Sequence, residues 1–251
     1  MLGPPGTWTA GGPAAKWQTS RKRRMELSMA KIDFLALETQ AWLSATKDFI
    51  DAMSQAIKDA EASQIEALRQ KARDEGWDDN DHQVERDLLE ENLHRWLPKL
   101  SAYSAIVLIH SLAETQLMAY CRRLRRARAL DLDVSDIKGH GIQAAKKYMT
   151  KAARLDIGSA PEWQHLTDLQ ALRNIIVHRR GQQGAASDQQ EVVRRLVKQY
   201  PDDVSLTPDP DSAIQEVRVT FRLCVGFLDK VGEFFQRLCR AAGFQERGCT
   251  S

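Results

Sequence analysis

The chain has 251 residues, 43% of them hydrophobic and 28% charged, which suits a globular protein with a sizeable core and excludes a low-complexity or fibrous chain. Its formal net charge is +2, but five basic residues crowd into positions 1–25, and the remainder carries 31 basic against 34 acidic side chains. A uniformly basic nucleic-acid coat is therefore excluded, and any contact with a polyanion must come from a local patch.

Residues 1–25 are rich in Gly, Pro, Ala and Thr and show no apolar period. They read as a disordered basic extension, with Met25 or Met29 as a natural start. Residues 26–245 read as a single helical domain and 246–251 as a flexible tail. A long amphipathic helix is predicted over 26–73, its core face formed by Leu35, Trp42, Thr46, Phe49, Met53 and Ile57. Gly76 and the acidic stretch after it end that helix. A second helix is predicted over 84–97, broken or kinked by Pro98.

The third helix, over 99–129, is apolar nearly all round in its first half, through Tyr103, Ile106, Val107, Ile109, Leu112, Ala113 and Leu117. That pattern marks a central, buried helix. Its second half turns basic, with Arg122, Arg123, Arg125, Arg126 and Arg128. A fourth helix is predicted over 141–155. The fifth opens on Ser159-Ala160-Pro161-Glu162, which has the form of a capping box, and ends at Gly181. Trp163, Leu166, Leu169, Leu172 and Ile176 form its core stripe. A sixth helix is predicted from a second capping box, Ser187 with Gln190, to just before Pro201. Two β-like pieces at 203–206 and 216–219 predict a short hairpin. The last helix, over 220–242, turns Leu223, Phe227, Val231, Phe234 and Leu238 inward.

Four cysteines, Cys121, Cys224, Cys239 and Cys249, form no C-x-x-C pair and read as reduced thiols, so a cytoplasmic location is expected. No apolar run has the roughly 20 residues a membrane span needs. The expected fold class is all-α.

The fifth helix carries the chemistry. Thr167, Ala171, Asn174 and His178 recur at spacings of four, three and four, which puts them on one face. Arg173 lies about 140° round from His178 on a 3.6-residue period, but its long side chain reaches the same end of the helix. An imidazole, a carboxamide and a guanidinium at one helix terminus suit metal-free RNA cleavage. The substrate's own 2′-hydroxyl attacks phosphorus, the imidazole moves a proton, and the guanidinium holds the charge that develops. The other reading of the same three residues is a helix end making caps and surface ion pairs.

The stretch from Leu169 through Arg173, Asn174 and His178 to Gly181 resembles the signature helix of the HEPN superfamily, in which Arg, a polar residue, three more residues and His close a helix. Glu114 on the central helix, the run Lys146–Met149, the hairpin and the aromatic last helix with Phe234 and Phe235 are similar to stand-alone bacterial members, including the RiboL-PSP type. The resemblance spans roughly residues 30–242, and its sharp part is Arg173–His178.

It implies a helical bundle that pairs as a homodimer and builds one composite ribonuclease site from Arg173, Asn174 and His178 of both copies, with no cofactor. It also implies a toxin or antiphage role and an antitoxin or nucleotidyltransferase-like partner. Non-catalytic members that bind nucleotides or RNA, or that mediate assembly, are the alternative. Glu114 and His110, one turn apart, are expected to support the site. Arg179, Arg180, Arg122 and Arg126 are expected to contact RNA phosphates. No metal ligands are expected.

Overall fold

A computed structural model describes residues 33–183, 189–208 and 215–244 of the chain. The predicted extension, the tail and Ser187 of the second capping box lie outside the described residues. The fold is all-α apart from one small sheet, as expected. Its helices are α1 (Phe34–Glu75), α2 (Asp79–Glu91), α3 (Leu97–Ala127), α4 (Gly141–Lys147), α5 (Glu162–Arg179), α6 (Gln189–Gln199) and α7 (Phe221–Ala242).

α3 is the central helix, packed against α1, α5 and α7. Thirteen of its residues are buried, from Ala102 to Leu124. α7 turns Leu223, Phe227, Val231, Phe234 and Leu238 inward, as the period predicts. Its aromatic rings close the core: Phe235 stacks on Tyr120 at 5.3 Å and Phe234 meets Trp163 edge-on at 4.5 Å.

Three expectations change. The buried face of α1 is Ala36, Thr39, Leu43, Thr46 and Ile50, whereas Trp42 and Phe49 are 53% and 48% exposed. The large rings lie a quarter-turn away from the side that meets α3 and α7. Small residues let those helices approach, and the Thr39 hydroxyl lies 3.1 Å from the Gln116 carboxamide. Only the first part of α1 is so buried; its distal part runs beside α2 as a helical hairpin that ends in Gly76, whose φ of 65° is left-handed.

Pro98, secondly, does not break the chain. A π-helical turn, Asn92–Trp96, joins α2 to α3 without a loop, and the Leu97 N–H donates to the Asn92 carbonyl. That wider turn absorbs a residue with no N–H to give. The third change is at the start of α5, where Glu162 forms no capping box. It is 5% exposed and accepts from Arg237 Nε and Nη2 of α7 at 3.1 and 3.0 Å.

The hairpin forms from β2 (Val204–Pro208) and β3 (Gln215–Val219), antiparallel, with Val204 opposite Val219. A two-residue strand, β1 (Gln182–Gln183), adds to the other edge of β3 directly after α5. The sequence carries no sign of this third strand. It ties the end of α5 into the sheet.

Candidate active site

The first half of α5 is held more firmly than its sequence suggests. Asp168, completely buried, pairs with Arg195 of α6 and accepts from Gln164 at 2.8 Å. Together with Glu162 and Arg237 it pins α5 to two neighbouring helices. The signal for Asp168 was there: Asp168, Leu172 and Ile175 fall at spacings of four and three along the buried face.

At the helix end Arg180 and Gly181 take left-handed backbone, φ 55° and 81°, and the Gly181 N–H donates to the Ile175 carbonyl at 3.1 Å. The Tyr103 hydroxyl, from α3, donates to the Val217 carbonyl of β3, and the Val217 N–H donates back to the Gly181 carbonyl at 2.9 Å. Gly181 is therefore clamped between Tyr103 and β3. A Cβ on it would overlap the Tyr103 hydroxyl. Gly181→Ala is expected to lower stability by about 2–4 kcal/mol, from left-handed backbone plus a displaced buried Tyr103. Urea denaturation measures this, and an unchanged midpoint would show that the clamp yields freely.

Just before this clamp sit the three motif residues. Arg173 Nη1 donates to Asn174 Oδ1 at 3.1 Å and lies 3.3 Å from His178 Nε2. Arg173 and Asn174 are half-buried, and His178 is exposed. A guanidinium has only donors, so in this contact Arg173 is the donor and His178 Nε2 the acceptor. The site therefore places an imidazole nitrogen beside a fixed cation. That pairing can take a proton from a hydroxyl and hold an anion formed next to it.

His110 and Glu114 of α3 come to the same region. His110 is 5% exposed, with Nδ1 3.8 Å from Glu114 Oε2, and its Nε2 is buried without a hydrogen-bond partner. Burial holds its pKa below the ordinary histidine value; Glu114 works against this and the charge of Arg173 adds to it. His110 thus lies close enough to Arg173 to feel its charge. The Glu114 carboxylate rests against Gly141 at the start of α4, where a Cβ would overlap it. Among the described residues no three His, Cys, Asp or Glu side chains gather as a metal site.

Arg179 and Arg180 directly follow His178 and are exposed. Arg180 also borders a groove of about 700 Å³ formed by Leu100, Tyr103, Val107, Leu108 and Ile176. Ile176, expected in the core stripe, lines this groove half-buried, and Ile175 takes the buried position. The groove's apolar wall is open: Leu100 is 55% exposed and Leu108 39%. Arg122 and Arg126 are not brought to the motif. They lie 12 and 16 residues beyond His110 on α3, about 18 and 24 Å along the axis.

The described cysteines, Cys121, Cys224 and Cys239, are buried and unbridged. No helix among the described residues is long and apolar enough to cross a membrane. No family model, no curated protein and no solved structure matches the chain.

Proposed function

We propose that the protein is a metal-independent endoribonuclease that acts as a homodimer. One observation carries the reading: the Arg173 guanidinium lies between Asn174 Oδ1 and His178 Nε2 at an exposed helix end. The HEPN resemblance of the same helix agrees with it. In the reaction the 2′-hydroxyl oxygen of the substrate attacks the adjacent phosphorus and the bond to the 5′-oxygen breaks. Once the substrate phosphate draws Arg173 away from it, His178 Nε2 takes the 2′ proton, and the leaving oxygen receives a proton from a second acid. The products are a 2′,3′-cyclic phosphate and a 5′-hydroxyl. Arg173 holds the extra negative charge on the phosphoryl oxygens, and Asn174 keeps the guanidinium in place.

A single copy offers one such imidazole at the motif. The second acid is the His178 of another copy, brought up by covering the apolar groove beside the motif. Leu100, Leu108, half-buried Val107 and half-buried Ile176 form the kind of contiguous apolar surface that is rare on a monomer. The small Ala171 shares the motif face and allows a partner helix to come close. A toxin or antiphage role, and an antitoxin or nucleotidyltransferase-like partner, rest on the resemblance alone.

The test is incubation of mixed RNA with purified protein in EDTA, followed by end-group analysis. Fragments ending in 2′,3′-cyclic phosphate are expected. RNA bound but left intact would replace this reading with the non-catalytic binding module. Cleavage only on adding a divalent cation would refute the metal-free mechanism.

A further inference from the structure

The far end of α3 sorts its arginines into two kinds. Arg123 pairs with Asp33 and lies 4.0 Å over the Phe244 ring; Arg125 donates to Asp133 at 2.5 Å; Arg128 donates to the Ala153 carbonyl. These three fasten the helix end to its surroundings. Arg122 and Arg126, one turn apart, are exposed and have no carboxylate or hydrogen-bond partner among the described residues. They line a groove of about 710 Å³ against the first turn of α1, together with Phe34 and Leu35. The Phe34 ring is 65% exposed there. Glu38 is the acid on the groove wall, against two guanidinium groups without a partner among the described residues.

This groove lies on the same face of α3 as the groove bordered by Arg180. Ser104, Leu108, Ser111, Thr115, Arg122 and Arg126 are all exposed and recur at spacings of three, four and seven, so they share one face of α3. The apolar groove beside His178 occupies the first part of that face, and the arginines occupy the last. From Ser111 to Arg122 the axial rise is about 16 Å. A strand that runs from the motif to these arginines must therefore span several nucleotides.

We propose that the groove of Phe34, Arg122 and Arg126 is a distal subsite for single-stranded RNA. The two guanidinium groups hold backbone phosphates, and the exposed ring stacks on a base. The nature of the polyanion rests on the ribonuclease reading; the existence of an anion subsite rests on two exposed arginines that no described residue pairs. Arg123 takes no part in binding, because Asp33 and Phe244 already hold it.

The experiment uses the full chain and the variant Arg122→Ala/Arg126→Ala. Binding of a labelled single-stranded RNA 12-mer is followed by anisotropy across a salt series, and cleavage is followed for the 12-mer and for a dinucleotide. Affinity for the 12-mer is expected to fall about tenfold or more, and the slope of log K against log salt to shrink by about 1.4. Dinucleotide cleavage and the melting temperature are expected to stay as in wild type. Phe34→Ala should weaken 12-mer binding about fivefold with no change in salt slope. An unchanged affinity and slope in the double variant overturns the subsite, as does loss of dinucleotide cleavage, which would tie these arginines to the reaction itself. If wild type binds the 12-mer through the arginines but cuts nothing, the nuclease reading falls and the subsite stands. If wild type binds no RNA, both fall.

Discussion

His178→Ala is expected to lower RNA cleavage by about a thousandfold or more while the protein folds and pairs as before. The size follows from the role. Loss of one general base commonly costs two to four orders of magnitude, and in a two-fold composite site the substitution removes base and acid together. The folded state should hardly notice, because His178 is exposed and its recorded contact is the 3.3 Å approach to Arg173. A loss of roughly 0.5 kcal/mol or less is the scale for such a surface change. The check is cleavage in EDTA by both proteins, with light scattering and a melting curve on the same samples. Equal cleavage would place the activity elsewhere. A collapse of the dimer along with activity would make His178 a contact residue rather than a reacting one.

The second large effect is expected at the apolar groove. Leu100→Glu/Leu108→Glu should give a folded monomer that has lost nearly all cleavage. Both leucines are substantially exposed in the single chain, so neither substitution buries a charge there. In a two-fold pair the same four carboxylates would meet across a dry seam, and like charges in such a place cost several kcal/mol. That is enough to move a micromolar dimer out of its working range. Sedimentation or light scattering gives the mass, and far-ultraviolet dichroism reports the helices. A variant that stays dimeric would put the seam on another face, and a monomer that still cuts would end the composite-site idea. Leu108→Met, which keeps size and apolarity, should behave as wild type.

Much of the fold was legible because the pattern that specifies it is local. The stripe of α7, the encirclement of α3 and the position of the hairpin all follow from residues within a few turns of one another. At the site, the grouping of Arg173 with Asn174 and His178 follows from helical spacing plus the reach of a long side chain. What escaped depends on partners far along the chain. Trp42 and Leu43, or Phe49 and Ile50, are apolar neighbours, and no period chooses between adjacent residues; the approach of α3 and α7 to α1 chose Leu43 and Ile50. Glu162 looked like a cap because Arg237 lies 75 residues away. The clamp on Gly181 joins residues from α3, α5 and β3, so its need for glycine, plain in space, reads in sequence only as the end of a helix.

The unbroken passage from α2 into α3 has a mechanical consequence. Segments of 13, 5 and 31 residues share one hydrogen-bonded backbone, about 70 Å along its contour. Helices joined by a loop swing freely about it, whereas here bending is concentrated at the π turn beside Pro98. One end projects with the distal part of α1, and the fulcrum lies where Lys99 pairs with Glu216 and Tyr103 grips β3. A weight hung on the tip is felt at that fulcrum, which is also the seat of Gly181. The projecting hairpin is thus a lever whose short arm ends at the clamp behind His178.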